Sequence, residues 1–176
     1  ALACARTALD IHTKSGNNKG QAFAHQVSAY VYVEQQLWSQ ALPEALDAAR
    51  LYQHEGDISA ILDSLYLTAR IQFELQSFSL AEKTLRSLLK QGENSSGCFH
   101  LANAYSLLGL IFLQKNNLAR AKALFLKSAS LEQKNERFSG AATDYANIGL
   151  IETKLGHISQ ALKTYETALT YASAFE

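Results

Sequence analysis

The chain repeats itself at an interval of 40 residues. Alanine stands at five positions spaced by that interval, and three further columns keep one kind of side chain or change size gradually. The four columns are Ala1, Ala41, Ala81, Ala121 and Ala161; Ala29, Ala69, Gly109 and Gly149; Trp38, Phe78, Leu118 and Ile158; and Ala5, Ala45, Leu85, Phe125 and Tyr165. A fixed interval of this length is typical of repeat architectures, in which each unit buries its apolar face against the next.

Each repeat carries two amphipathic helical patterns separated by a short break. In the third repeat, the first stripe has apolar residues spaced four, three and four apart: Leu101, Tyr105, Leu108 and Phe112. After the polar break at 115–117, a second stripe begins at Leu118. This spacing places each stripe on one helix face, and so short a break forces the two helices into an antiparallel hairpin.

The register divides the chain into five segments. Residues 1–15 are predicted to form the second helix of a truncated repeat, and four complete repeats follow at 16–55, 56–95, 96–135 and 136–176. The whole chain is then one array. No methionine is present. The array also opens and closes with a second helix, and no polar cap covers the face of Tyr165, Leu169 and Tyr171 on the last one. We therefore expect either a fragment of a larger protein or a stack that caps itself by self-association.

Polar residues mark the expected helix starts. Asn17 and Asp57 are predicted N-caps, each following a glycine that can end the preceding helix. One of the serines at 95–96, and Asn135, are predicted to cap the later repeats. Pro43 falls in the opening turns of its helix, which should therefore start late or bend.

The small-residue column predicts a close crossing of the two helices in each hairpin. A larger side chain there would hold the backbones apart, so we expect the alanine column to face it, with aromatic residues on either side. A single hairpin cannot bury both of its faces. The units are therefore predicted to stack into an all-α, right-handed superhelical solenoid of about four and a half repeats.

A small residue in the first helix, Gly or Asn at the turn, and Ala followed by an aromatic in the second helix resemble the tetratricopeptide repeat. The stretch NIGLIETKLGHISQALKTYETAL, residues 147–169, shows this best. The long period resembles the branch containing kinesin light chains, bacterial peptide-pheromone receptors and MalT-like regulators. The resemblance covers the whole chain but weakens where Ala5 and Ala45 replace the usual aromatic. It implies a helical solenoid that binds proteins or peptides.

The composition argues against several other classes of function. The 16 basic and 16 acidic residues balance, so no basic stripe is offered to nucleic acid. The apolar run 107–113 is too short to insert across a membrane. The histidines share no metal-ligand spacing, and Cys98 with His100 has poor geometry for a catalytic dyad. We expect no enzyme, cofactor or metal. The two cysteines fit a reducing cytoplasm without deciding the compartment.

The resemblance implies a concave face lined by the first helix of each repeat. The residues predicted to bind a peptide or protein there are Tyr30, Asp63, Tyr66, Arg70, Phe73, Asn103, Ser106, Leu110 and Asn147. This face mixes apolar positions with isolated polar ones, as an extended or helical peptide requires. In related repeats an asparagine at the place of Asn147 pairs with a peptide backbone. The alternatives are that Asn147 bonds to its neighbours and that Leu110 packs between helices.

The sequence therefore predicts a non-enzymatic protein- or peptide-binding module within a bacterial signalling or regulatory protein. Two alternatives remain open. One is a structural arm that forms homo-oligomers through exposed terminal helices. The other is a sensor arm that binds a small molecule or a pheromone peptide.

Overall fold

The computed structural model describes residues 2–92 and 99–173, and every regular element in those two ranges is an α-helix. The all-α prediction is thereby confirmed. The helices are α1 (Leu2–Lys14), α2 (Asn18–Glu34), α3 (Trp38–Glu55), α4 (Ile58–Glu74), α5 (Phe78–Gly92), α6 (Phe99–Gln114), α7 (Leu118–Lys134), α8 (Phe138–Lys154) and α9 (Ile158–Ser173). None of them is long and apolar enough to cross a lipid bilayer.

The helices fall into two compact units. Unit 1 comprises Ala1–Asn94 and contains α1 to α5; unit 2 comprises Ser95–Glu176 and contains α6 to α9. Within each unit every helix packs against the next one along the chain. The even-numbered helices are called first helices below, and the odd-numbered ones second helices. The repeat boundaries derived from the sequence remain a prediction.

Side-chain caps begin several helices as the sequence predicts. Asn17 Oδ1 accepts a hydrogen bond of 2.9 Å from the backbone N–H of Gly20, and Asp57 Oδ1 accepts one of 3.2 Å from Ala60. The Asn17 and Asp57 predictions are confirmed. Asn117 caps α7 in the same way. These bonds satisfy backbone donors that the first turn of a helix leaves unpaired.

The structure contradicts the Asn135 prediction and one of the two alternatives predicted for Pro43. Asn135 ends α7 instead of beginning α8, because its backbone N–H donates to the carbonyl of Leu131 and α8 starts only after Arg137. Its side chain therefore lies too early in the turn to cap α8. Helix α3 begins at Trp38, five residues before Pro43, so the predicted late start is wrong, while the alternative of a bend at Pro43 stays a prediction. The serines at 95–96 lie outside the described residues.

One residue in the left-handed conformation closes the turn inside each hairpin. The four residues occupy one column of the repeat: Gln36, Gln76, Asn116 and Gly156, with φ between 56° and 77°. This conformation ends a helix by letting backbone N–H groups bond to the last carbonyls. Three of the four positions are not glycine. The turn therefore depends on its hydrogen bonds as well as on glycine's freedom.

The small column packs against a side chain of reciprocal size on the second helix. A Cβ added at Gly109 would lie 2.7 Å from the Phe125 ring, and one at Gly149 would lie 2.8 Å from the Tyr165 ring. In unit 1, Ala29 and Ala45 share one buried cluster. The aromatic ring thus lies directly over the glycine rather than beside it, which corrects the sequence-based expectation. A smaller residue on one helix admits a larger one on the other.

Candidate functional site

The predicted binding residues of unit 1 lie on its two first helices. Tyr30 is on α2, and Asp63, Tyr66, Arg70 and Phe73 are on α4. The side chains of Tyr30 and Arg70 are exposed, whereas the other three are half-buried. Unit 1 therefore presents an aromatic surface with one acidic and one basic group.

The Asp63 carboxylate is held by a hydrogen-bond network that joins three helices. The Gln26 amide and the Tyr30 hydroxyl, both on α2, donate to it; the Tyr30 bond is 3.2 Å long. The Tyr52 hydroxyl on α3 donates to Gln26 Oε1 at 3.1 Å. Asp63 therefore fixes α2 against α4, and part of its capacity to accept hydrogen bonds is already used.

Burial and the neighbouring Asp63 carboxylate raise the pKa of Tyr30 to about 12, although the nearby Arg70 acts in the opposite direction. The Tyr30 hydroxyl therefore keeps its proton at neutral pH and acts as a donor. Phe73 is partly committed to packing, since its ring lies 5.5 Å from that of Phe78 at an angle of 60°. Arg70 is exposed to solvent and carries the basic group of this set.

Of the residues of unit 2 that were predicted to bind a ligand, two pack inside the protein and two carry amides with no described hydrogen-bond partner. The Ser106 hydroxyl donates a 2.7 Å hydrogen bond to Asp144 Oδ1, and Leu110 packs against an apolar cluster that includes Phe125. Both side chains support the fold. Asn103 on α6 and Asn147 on α8 are half-buried, and neither amide has a hydrogen-bond partner among the described residues.

A buried carboxyl group that the sequence analysis missed lies beneath this surface. Asp144 is only 1% exposed and accepts from Ser106 on α6. Burial raises the pKa of Asp144 to about 6, against the hydrogen bonds from Ser128 and Ser106, and the negative charge of Glu132 raises it further. The repeat pattern could have drawn attention to Asp144. The corresponding positions hold Ala24, Ser64 and Ala104, which are all small, so an aspartate there is an anomaly.

A second buried carboxyl group, Glu132 on α7, lies close enough to influence Asp144. Its side chain is paired with Arg137, with 3.2 Å between Arg137 Nε and Glu132 Oε2. Burial raises the pKa of Glu132, and the Arg137 charge partly offsets that effect. Gly140 makes room for this carboxyl group, because a Cβ there would lie 2.6 Å from Glu132 Cδ.

A third buried carboxylate, Glu152, forms a structural ion pair. Lys122 Nζ lies 2.8 Å from Glu152 Oε1, and the Thr164 hydroxyl donates to Oε2 at 2.7 Å. Burial acts to raise the pKa of Glu152, but these hydrogen bonds and the Lys122 charge outweigh it and lower the pKa. Gln72 and Thr84 form the equivalent uncharged pair in unit 1 at 2.9 Å. The repeated pairing indicates a role in hairpin packing.

Within residues 2–92 and 99–173, no three His, Cys, Asp or Glu side chains are grouped so that they could hold a metal ion. The dyad considered for Cys98 and His100 cannot be described, because Cys98 lies outside those ranges. The described chemistry of the first-helix surface is therefore that of hydrogen-bonding amides, aromatic rings and one guanidinium group.

The similarity of this chain to proteins of known structure lies in the fold. The chain superposes on apo RapI with a TM-score of 0.90 at 14% sequence identity, covering 99% of this chain and 64% of RapI. BtubC (BKLC) from P. vanneervenii gives 0.81 at 16% identity, covering 98% of this chain and 72% of BtubC. A Rap protein complexed with competence and sporulation factor gives 0.78 at 18%, covering 87% and 43%. No curated protein matches in sequence.

The tetratricopeptide repeat family model matches residues 102–135 and 145–175, which include most of unit 2. The two segments cover α7 and α9 entirely, together with most of the first helix that precedes each of them. Kinesin-light-chain-like repeats from Podospora anserina share the fold as well, with a TM-score of 0.76 at 11% identity. The family model thus matches tetratricopeptide repeats in two segments of unit 2, and the fold of the chain is that of tetratricopeptide-like repeat proteins.

Proposed function

We propose that this chain is a non-enzymatic module that binds a peptide or an extended protein segment on its first helices. The observation that carries the proposal is the pair of half-buried amides on α6 and α8, Asn103 and Asn147, which no described residue satisfies. A side-chain amide both donates and accepts, so it can pair with the N–H and C=O of a peptide backbone. The exposed Leu150 on α8 supplies an apolar contact for a side chain of the ligand.

The first helices of unit 1 offer a different set of side chains for contact with a ligand. Tyr30 and Tyr66 offer aromatic rings with polar tips, and Arg70 offers an exposed guanidinium group. Aromatic residues and arginine are the side chains most enriched in protein interfaces. Asp63 contributes mainly by holding Tyr30 in place. Ser106, Leu110 and Phe73 leave the set of contact residues that we propose, because their described contacts are inside the protein.

Structural relatives support a peptide as the ligand. One Rap protein was solved with competence and sporulation factor, and the Rap conjugation regulator of plasmid pLS20 was solved with the Phr* peptide. The fold resemblance to these regulators makes a bacterial signalling or regulatory protein the context that we propose. Sequence identity of 16–18% carries no residue-by-residue assignment of ligand contacts.

A displayed library of random 16-residue peptides tests the proposal with ligands that are selected directly on the chain. We expect selection on the wild-type chain to enrich peptides whose affinity falls at least about tenfold in the Asn103→Ala/Asn147→Ala variant, since loss of hydrogen bonds worth about 1.4 kcal/mol gives that factor. Arg70→Ala is measured separately, because it lies in unit 1. The affinities are measured by isothermal titration calorimetry.

The matched control is Lys83→Ala/Lys163→Ala, which removes exposed side chains from second helices. It should leave the affinity unchanged. If the selected peptides bind the asparagine variant and the wild type equally well, the amide pair is not the ligand contact. The proposal would also fail if affinity were lost only in the second-helix control.

A further inference from the structure

The exterior of unit 2 is basic although the chain as a whole carries no net charge. Three acidic residues of this unit, Glu132, Asp144 and Glu152, are buried. The acidic residues that the structure places on its surface are Glu136 and Glu166. The exposed basic residues are more numerous: Lys115, Arg120, Lys127, Lys134, Lys154 and Lys163. The fold therefore keeps much of the negative charge of unit 2 inside and leaves most of its positive charge outside.

Three of these basic residues form a line along α7. Arg120, Lys127 and Lys134 follow one another at intervals of seven residues. They therefore lie within about 40° of one another around the helix and are spaced by about 10.5 Å along it. The other exposed residues of α7 are uncharged: Ala119, Ala123, Leu126 and Ser130. Arg120, Lys127 and Lys134 are called the α7 stripe below.

The charge of the α7 stripe is not neutralised by any carboxylate among the described residues. None of its three side chains forms an ion pair there. The half-buried basic residues of unit 2 behave differently, since Lys122 pairs with Glu152 and Arg137 pairs with Glu132. Buried carboxylates thus hold the inner basic groups, and the stripe keeps its positive charge available to a ligand.

Two aromatic rings of α6 orient the stripe. Lys127 Nζ lies 5.5 Å from the centre of the Tyr105 ring, and Arg120 Cζ lies 5.6 Å from that of Phe112. A cation is attracted to the face of an aromatic ring and keeps its charge there. Because two of the three cations are held in this way, less side-chain freedom is lost when a ligand binds them.

A groove of about 440 Å³ runs beside the middle of the stripe. It is lined by Tyr105, Leu126, Lys127, Ser130 and Leu131. Of these residues only Lys127 is charged, and Leu126 is exposed. The groove can therefore take an apolar side chain of a ligand whose anionic groups lie on the stripe.

We propose that the α7 stripe and this groove bind an extended, acidic segment of a partner protein. The argument is charge complementarity, since carboxylates of the segment meet a line of cations that carry no carboxylate partner of their own. An extended chain advances about 10 Å in three residues, so acidic residues three apart match the spacing of the stripe. An apolar side chain between them fits the groove.

The acidic-segment site is separate from the amides on the first helices. Asn103 and Tyr105 both belong to α6, but they are two residues apart and therefore point about 160° away from each other. The stripe itself lies on a second helix. A ligand on the stripe thus leaves Asn103 and Asn147 accessible, and the two sites can be tested independently.

Two other anionic partners fit the stripe less well. A single strand of nucleic acid stacks its bases on open aromatic rings, whereas Phe112 is buried and the Tyr105 ring is covered by Lys127. A membrane surface takes up several apolar side chains beside the cations, whereas Leu126 is the one large apolar residue that α7 exposes. A narrow line of charge suits a single acidic segment better than either of them.

Selection from a displayed library of random 16-residue peptides tests the inference when it is carried out on the Asn103→Ala/Asn147→Ala variant. This variant lacks the amides proposed above and keeps the stripe. We expect the enriched peptides to be rich in Asp and Glu and to bind the wild type equally well. Their affinity, measured by isothermal titration calorimetry, should fall at least about tenfold in Lys127→Glu/Lys134→Glu, because like charges then face each other.

The salt dependence of binding provides a second measurement. Between about 0.1 M and 1 M salt the screening length falls from about 10 Å to about 3 Å. The affinity of the enriched peptides for the wild type should therefore fall at least about tenfold over that range. An affinity that does not depend on salt would overturn the inference.

The matched control is Lys83→Glu/Lys90→Glu on α5. It makes the same change of charge at the same seven-residue spacing, on exposed residues of a second helix. It should keep the wild-type affinity, and circular dichroism checks the fold of both charge variants. Equal loss of affinity in the two variants would overturn the inference, as would enriched peptides without an excess of acidic residues. Neither result affects the proposal for Asn103 and Asn147.

Two further probes distinguish the acidic segment from other anionic partners. An oligothymidylate of about 20 nucleotides is measured by fluorescence anisotropy, and vesicles of phosphatidylserine and phosphatidylcholine are measured by co-sedimentation. We expect both to bind the wild type more weakly than the selected peptides do. Tighter binding of either probe that is lost in Lys127→Glu/Lys134→Glu would overturn the inference and assign the stripe to nucleic acid or to a lipid surface.

Discussion

Asp144 shows how one residue links burial to a measurable property of the protein. Its carboxyl group is only 1% exposed, and burial raises its pKa from 3.8 to about 6. The groups that face it are Ser106 on α6, Ser128 and Glu132 on α7, and, beyond Glu132, Arg137. Because the folded state holds the proton more tightly than the unfolded state, the contribution of Asp144 to stability is fully present below about pH 3.8 and is lost as the pH rises through about 6.

We predict that Asp144→Asn removes most of this pH dependence. Each pKa unit is worth about 1.4 kcal/mol, so ionisation of Asp144 lowers the free energy of unfolding by about 3 kcal/mol between about pH 4 and pH 7. The lowered pKa of Glu152 affects stability only at lower pH, as the pH falls through that pKa. Urea unfolding of the wild type and the variant across this range, followed by circular dichroism, provides the measurement.

The exposed Glu166→Gln on α9 is the control for the Asp144 prediction and should keep the wild-type pH dependence. The same slope in wild type and Asp144→Asn would contradict the assignment. In that case the dependence would come from another group, and Glu132 is the first to examine because its pKa is raised as well.

At the scale of the hairpin, stability depends on pairs of reciprocal size. Gly109 faces Phe125, and the equivalent pair in unit 1 is Ala69 and Leu85. All four residues are buried. Each hairpin therefore fills the same space with a different division of volume between its helices.

We predict that Gly109→Ala destabilises the protein by about 1–3 kcal/mol, because the new Cβ meets the Phe125 ring. Phe125→Leu alone is also destabilising, since it leaves a void. The double variant recreates the Ala69–Leu85 pair and should be more stable than the sum of the two changes predicts, by about 1 kcal/mol or more. A double-mutant cycle by urea unfolding measures that coupling, and strict additivity would show that the two side chains do not share space.

The helices were predictable from the sequence because their signals are local. Apolar spacing predicted the hairpins, and Asn17 and Asp57 predicted helix starts, since a cap bonds only to the first turn that follows it. The Asn135 prediction is wrong because asparagine is common both at the end of one helix and at the start of the next. Only the backbone conformation decides between the two positions. The hydrogen bonds of Asp63 and Ser106 inside the protein were not predictable. Their partners, Gln26 and Asp144, lie 37 and 38 residues away and become neighbours only when the helices pack.

At the scale of the whole molecule, the first and the second helices have different roles. The second helices carry the exposed lysines used as controls and pack against the first helices. The first helices present Asn103, Asn147 and Arg70. The proposed ligand therefore contacts α6 and α8 in unit 2.

Hydrogen–deuterium exchange with a selected peptide bound to the chain tests the central claim most directly. The account predicts that exchange slows in α6 and α8 around Asn103 and Asn147 and stays unchanged in the exposed turns of α7 and α9. Protection confined to α7 and α9 would contradict binding on the first helices.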